Sequence, residues 1–258
     1  MSRTTNLELL QKQKGFLPSN SVDLVIFGFH ENDLKILLLQ HKDESWSLPG
    51  GFILKEEHLD TAAKRVLEER TGLKKIFLRQ FFSFGDPERT RLNNRAHQLE
   101  KLFDKDEYSA ELRQLFLGRF VSTGYYALVE YTKVNPVPDD FSARCNWCDV
   151  NALPSLIADH AQIIKKALET LRQQIHFQPI GMNLLPKKFT MPEIQSLYET
   201  IIGTKLDRRN FMRRISSYKI LVRLQEKRTG VAYKAPYLYL FDKKAYQRAL
   251  EEGLTNLW

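Results

Sequence analysis

The stretch that decides the fold reads Gly51-Phe52-Ile53-Leu54-Lys55-Glu56-Glu57, then seven further residues, then Arg65-Val66-Leu67-Glu68-Glu69-Arg70-Thr71-Gly72-Leu73. Across Glu57–Arg70, the apolar residues Leu59, Ala62, Ala63, Val66 and Leu67 recur at three- and four-residue intervals, the period of a helix with one face in a core. Gly72 is placed to end that helix as a left-handed cap. Trp46-Ser47-Leu48-Pro49-Gly50 leads into the string.

Outward from it, strands and helices alternate. Val22–His30 and Leu34–Gln40 are rich in Leu, Ile, Val and Phe, with Glu31-Asn32-Asp33 between them, and predict a β-hairpin. Ile76–Phe84 and Phe120–Tyr131 predict further strands. The polar Asp86–Arg119 between them predicts a loop insertion with a short helix near Ala110–Leu117. Asp159 is expected to cap and begin a helix reaching about Gln174, with Ile163, Ile164, Ala167, Leu168 and Leu171 as its apolar stripe. Phe177-Gln178-Pro179-Ile180-Gly181 breaks the pattern and marks a boundary. The expected division is an N-terminal arm over 1–20, a first domain over 21–178 and a second over 179–258.

The second domain opens with Thr190 and Glu193 in capping-box spacing, before a helix bearing Ile194, Leu197, Tyr198 and Ile201 and stopped by Gly203. Asp207 then caps a second helix, Arg208–Ser217. Ile220–Leu224 and Tyr237–Phe241 read as a hairpin wing, and a short final helix spans Lys243 to Glu252. Helix, turn, basic helix and wing is the layout of a winged helix-turn-helix.

Charge supports that reading. The chain has 258 residues, with 39 Lys and Arg against 31 Asp and Glu, a net of +8. Between Lys205 and Lys234 stand ten basic residues and two acidic ones, so the second helix and the wing hold the whole excess. A local cationic surface of this kind displaces counterions from duplex DNA while the second helix enters the major groove. Lys188, Arg208, Arg209, Asn210, Arg213, Arg214, Arg228 and Lys234 are the candidate DNA contacts; Arg suits bidentate contact with guanine and Asn with adenine. Phe211 and Ile215 fall on the core-facing side of the same helix.

Several classes are set aside. A 43% apolar and 27% charged composition is that of a globular chain. No apolar run approaches the roughly 18 residues of a membrane span. Met1–Phe16 has no secretory pattern, so a cytoplasmic location is expected. Cys145 and Cys148 are the two cysteines; their CxxC cannot form a four-cysteine metal site, and it lies in a stretch that reads as strand rather than at the helix N-terminus that redox chemistry favours. The six histidines show no metal-binding spacing. No metal and no cofactor is expected.

The string at 51–73 resembles the Nudix box, Gly-x5-Glu-x7-Arg-Glu-U-x-Glu-Glu-x-Gly-U with U aliphatic, through Gly51, Glu57, Arg65, Leu67, Glu69, Gly72 and Leu73. The resemblance implies an α/β (α+β) chain: a Nudix-like α/β/α sandwich followed by the winged helix-turn-helix. It also implies a metal-dependent hydrolase in which three carboxylates at i, i+3 and i+4 share one helix face. Here those positions hold Val66, Glu69 and Arg70, so two carboxylates are missing and a fixed positive charge stands where the cation would sit. The expected activity is therefore none, with no catalytic residue, and Glu57, Arg65 and Glu69 are expected to persist as a fold-stabilising ion-pair cluster.

With Asp159-His160, the run Pro179–Thr190 and Leu206-Asp207-Arg208-Arg209-Asn210-Phe211 added, the whole chain looks like the Nudix-related transcriptional regulators of NrtR type. The likeness implies a homodimer on a double-stranded, pseudo-palindromic DNA operator, released or loaded by a small-molecule effector, with no membrane involved. The strings sit nearer the branch that responds to sugars such as L-arabinose than the branch that responds to ADP-ribose and serves NAD metabolism. Trp46, Gly50, Gly51, Arg91, Tyr125, Asp159 and His160 are the candidate effector-binding residues: aromatic rings pack on a sugar or base, and glycines allow close backbone approach. The rival classes are an active Nudix hydrolase with an appended nucleic-acid module and an RNA-binding adaptor.

Overall fold

The computed structural model describes residues 16–74, 76–89, 118–139, 141–230 and 235–254. The expected short helix near 110–117, Arg91 and Lys234 lie outside the described residues. The chain divides into two compact units. One comprises Met1–Ile26, Ile36–Ala127 and Val134–Ala167, and the other comprises Phe27–Lys35, Leu128–Lys133 and Leu168–Trp258.

The strands β1 (Phe16–His30), β2 (Asp33–His41), β3 (Trp46–Ser47), β4 (Gly50–Leu54), β5 (Phe77–Phe84), β6 (Val121–Val129) and β7 (Ser142–Asp149) form a seven-stranded sheet. Its order is β3-β2-β1-β6-β5, with β4 also pairing β1 and β7 pairing β2. Val22, Leu24, Val25, Ile26 and Phe27 are sealed from solvent in succession, as are Ile36 to Leu39, so these strands are covered on both faces and read as continuous apolar runs. The β1–β2 connection is a two-residue turn, Glu31-Asn32, with φ of 51° and 63°, the left-handed pair that matches strand twist in a tight hairpin.

Helix α1 (Leu59–Thr71) buries Ala62, Ala63, Val66 and Leu67 as its periodicity requires, and Gly72 closes it at φ 70°. It starts two residues later than expected, because His58 is the N-cap, accepting from the Asp60 amide, and Glu57 is held elsewhere. Helix α2 (His160–Gln174) buries Ile163, Ile164, Ala167 and Leu171, while Leu168 is half-buried.

In the second unit, α3 (Met191–Ile202), α4 (Arg208–Ser217) and α5 (Lys243–Glu252) accompany β8 (Phe189–Thr190), β9 (Leu221–Lys227) and β10 (Tyr237–Phe241), which pair in the order β8-β10-β9. The local chemistry is as the residues predict. Thr190 and Glu193 complete a reciprocal capping box, Gly203 ends α3 at φ 85°, and Asp207 and Asp242 cap α4 and α5. Ile194, Leu197, Tyr198, Ile201, Phe211 and Ile215 are buried, with the Tyr198 and Phe211 rings edge-on at 5.4 Å. Strand β8 was not expected. Its two residues look like a helix cap, and they become a strand by pairing across to Leu238 and Tyr239. Among the described residues no helix is long and apolar enough to cross a membrane.

Candidate functional site

The box folds into a clasp around Arg65. Its Nε donates to Glu57 Oε1 at 2.9 Å, and Nη2 donates to Glu57 Oε2 at 2.8 Å and to the Phe52 carbonyl at 2.9 Å. Glu57 Oε2 also accepts from the Leu54 amide, so one carboxylate joins the end of β4 to α1. The hydrogen bonds from Arg65 hold the Glu57 carboxyl below its ordinary pKa against the opposing effect of burial. Glu69 lies at the edge of this clasp, 3.5 Å from Arg65 Nη1 and 3.3 Å from Arg70 Nη2.

The neighbouring positions do not suit a divalent cation. Val66 is buried, and its Cγ2 lies 2.8 Å from where a Cβ on Gly51 would stand, so Gly51 makes room for an isopropyl group where the box pattern has a carboxylate. Arg70 sits in the last turn of α1, where a cation complements the helix dipole. Its Nη1 reaches the Val137 carbonyl at 3.5 Å, and its buried Nε has no hydrogen-bond partner among the described residues. Glu69 is left between two guanidinium groups. Among the described residues no cluster of His, Cys, Asp and Glu could hold a metal ion.

A second cluster is more deeply buried. Arg89 Nε donates to Asp159 Oδ2 at 2.8 Å, and Nη2 donates to Asp159 Oδ1 at 2.9 Å and to Asp23 Oδ2 at 3.4 Å. Ser122 Oγ donates to the same Asp23 oxygen at 2.6 Å. Gly50 pairs with Asp23 across β1 and β4, and a Cβ there would stand 2.7 Å from Asp23 Oδ1. His160 Nδ1 accepts from the Leu48 amide at 2.9 Å, tying the start of α2 to the β3–β4 connection. Three of the expected effector residues, Gly50, Asp159 and His160, are thus tied into this buried part of one unit. Asp159 does not cap α2 with its side chain, because Arg89 takes both carboxylate oxygens; its backbone carbonyl accepts from Gln162 and Ile163 instead.

Arg89 is the member that sequence reasoning missed. The choice fell on Arg91 two residues on, and no local pattern separates the two; the partner that distinguishes Arg89 is 70 residues away. Tyr125 is buried, and its hydroxyl donates to Asp60 at 2.7 Å. Burial, then the Asp60 carboxylate, push its pKa upward. Trp46 is half-buried in β3, with its carbonyl accepting from the Ile157 amide. The CxxC lies on β7, where burial pushes the Cys145 thiol up to about 12.

The basic surface has its own order. On α4, Phe211 and Ile215 face the core, while Arg208, Arg209, Asn210 and Arg213 are exposed. Arg208 and Arg209 make no hydrogen bond or ion pair among the described residues, whereas Arg213 donates to Asn210 Oδ1 at 3.3 Å and Arg214 to the Tyr218 hydroxyl at 3.2 Å. In the wing, the Arg223 guanidinium and the Lys227 ammonium stand 4.3 and 5.0 Å from the centre of the Tyr237 ring. Lys188 pairs with Glu226, and Arg228 is bound by both oxygens of Glu193, the capping-box glutamate of α3. Those two cations brace the wing, while those of α4 face outward.

Comparison with known proteins gives matches to the NUDIX domain over residues 18–171 and to the NrtR DNA-binding winged helix domain over 181–241. Among curated proteins, the chain is 28% identical over 249 residues to the ADPR responsive transcriptional repressor NtrR of Acinetobacter baylyi, covering 92% of this chain and 88% of that one. Among solved structures, Shewanella oneidensis NrtR superposes with a TM-score of 0.68 at 26% identity, covering 88% of this chain and 96% of that one. The same protein complexed with a 27mer DNA superposes with a TM-score of 0.67 at 25% identity, over 88% and 95% of the two chains.

Proposed function

Since the chain belongs to the Nudix family and is built as an NrtR-type protein, a Nudix domain followed by an NrtR DNA-binding winged helix, we propose that it is an ADP-ribose-responsive transcriptional repressor whose Nudix domain senses its ligand without hydrolysing it. The observation that carries this reading is the relationship to an ADPR responsive repressor through both domains. It favours ADP-ribose over the sugar effectors toward which the sequence strings lean. The sensor is assigned to 21–178 and the DNA reader to 179–258.

The residues support each half of the assignment. Arg208, Arg209, Asn210 and Arg213 project from α4 and are suited to phosphates and base edges in a major groove. Two copies on a pseudo-palindrome would place two such helices one helical turn apart, as in other dimeric helix-turn-helix proteins. In the box, Val66 and Arg70 replace two carboxylates, which removes the means of binding the cation that activates water. Effector control then requires only that ADP-ribose bind the DNA-competent and DNA-incompetent arrangements with different affinity.

The test uses genomic duplexes selected by the protein itself, with binding followed by fluorescence anisotropy. ADP-ribose is expected to weaken binding, L-arabinose and other pentoses to leave it unchanged, and single-stranded RNA not to compete. Release by a pentose and not by ADP-ribose would overturn the effector assignment. Hydrolysis of ADP-ribose with Mg²⁺ or Mn²⁺ at about 1 per second or faster would overturn the sensor assignment.

A further inference from the structure

The turn between β1 and β2 does more than reverse the chain. Glu31 and Asn32 both adopt left-handed backbone conformations, which glycine accommodates best at the second position of such a turn. A residue serving only the turn could be glycine. Asn32 also binds α3 twice: its Oδ1 accepts from Ser196 Oγ at 2.7 Å and its carbonyl accepts from Thr200 Oγ1 at 2.8 Å. Ser196 and Thr200 are one helical turn apart, on the side of α3 away from the buried Ile194, Leu197, Tyr198 and Ile201. Both bonds therefore fall on one stripe and fix the helix against rotation about its own axis.

The contacts continue from α3 into the basic helix. Glu199 Oε1 accepts from the Leu206 amide at 3.0 Å, and Gln195 Nε2 donates to the Leu206 carbonyl at 3.0 Å. Leu206 precedes Asp207, the N-cap of α4. At the C-terminal end of α3, Arg172 Nε donates to the Ile201 carbonyl at 2.8 Å. The helix that positions α4 is thus held from outside the winged helix by one turn residue and one arginine. Upstream on the same strand as the turn, Asp23 stands in the Arg89 cluster.

We infer that Asn32 is a positioning residue through which the β1–β2 hairpin sets the placement of α3 and α4, so that a change along β1 alters DNA binding. The inference rests on the reading of the protein as an effector-controlled DNA binder. Asn32→Gly keeps the left-handed turn and removes the bond to Ser196; Thr200→Val removes the second bond; Asn32→Asp keeps an acceptor for Ser196 and serves as the conservative control.

In the full chain, N32G/T200V is expected to bind ADP-ribose within about threefold of wild type. The ratio of DNA affinities with and without ADP-ribose is expected to fall to about twofold or less, from the 5–150-fold typical of allosteric coupling. N32D is expected to retain the response. An unchanged ratio in N32G/T200V would overturn the inference. Hydrogen exchange separates this outcome from failure of the effector reading, since it needs no effector. The amides of Glu199–Ile202 are expected to exchange about fivefold or more faster in N32G/T200V than in wild type or N32D. Identical exchange would overturn the inference even if some other ligand proved to be the effector.

Discussion

Arg89 and Asp159, 70 residues apart in sequence, meet through two hydrogen bonds of 2.8 and 2.9 Å, with both side chains almost sealed from solvent. Burial works against the arginine's charge, but its hydrogen bonds to Asp159 and the charge of Asp23 outweigh it and hold the guanidinium pKa above its ordinary value. One guanidinium is therefore shared between two carboxylates, which it bridges. Arg89→Met is expected to lower the free energy of unfolding by about 3–5 kcal/mol, the cost of leaving buried charges uncompensated. The pair R89M/D159L is expected to lose less than R89M alone, because it removes a charge along with its partner. Denaturant titration of the three variants measures this, and a loss below about 1 kcal/mol in R89M would contradict the account.

The Glu57–Arg65 clasp makes a pH prediction with a definite sign. Glu57 has a folded-state pKa below its unfolded value, chiefly through its hydrogen bonds from Arg65. Its contribution is therefore complete above the unfolded carboxyl pKa of about 4.3 and is lost as pH falls through the lower folded value. Arg65 stays charged throughout and adds no titration of its own in this range. Glu57→Gln is expected to cost about 1–2 kcal/mol at pH 7, with the gap from wild type closing below about pH 4. A gap that widened with acid would show that Glu57 is not held as the carboxylate.

The elements most legible in the sequence were those whose cause is local. Thr190 with Glu193, Asp207, Asp242, Gly72 and Gly203 act within three or four residues of themselves, and each ends or begins a helix where expected. The central strands β1, β2 and β6 were legible because their apolar runs are continuous, whereas the short β3 and β4 carry no such run. What escaped depends on distant partners. Asp159 reads as an N-cap until Arg89 is seen to hold its carboxylate. Lys188 and Arg228 read as two more candidate DNA contacts, and only tertiary structure reveals Glu226 and Glu193 beside them. Charge totals point to residues 205–234 as the basic stretch but do not say which charges are already paired.

Cys145 and Cys148 offer a check on the buried face of β7. Both are free thiols, and burial raises the pKa of each, that of Cys145 to about 12. At neutral pH almost none of the Cys145 population is thiolate, the form that reacts. Native protein is expected to take up iodoacetamide at Cys145 at least 100-fold more slowly than unfolded protein. Rapid labelling of the native chain would mean that β7 opens on the timescale of the assay.

The basic residues should separate by salt dependence. Each Lys or Arg that neutralises a phosphate of duplex DNA contributes about 0.9 to the slope of log affinity against log salt. Arg208 and Arg209 are exposed and make no ion pair among the described residues, so R208A and R209A are expected to flatten that slope by about 0.9 for each residue that sits on a phosphate. Arg228 is bound to Glu193 and should behave differently. R228A is expected to leave the slope nearly unchanged while lowering stability by about 0.5–1 kcal/mol, the range for a part-exposed pair. Glu193→Gln should weaken the same brace, and R228A/E193Q should cost less than the two single losses added together. If R228A flattened the slope as much as R209A, Arg228 would have to leave Glu193 for a phosphate when DNA binds, and the wing would be held by Lys188 and Glu226 instead.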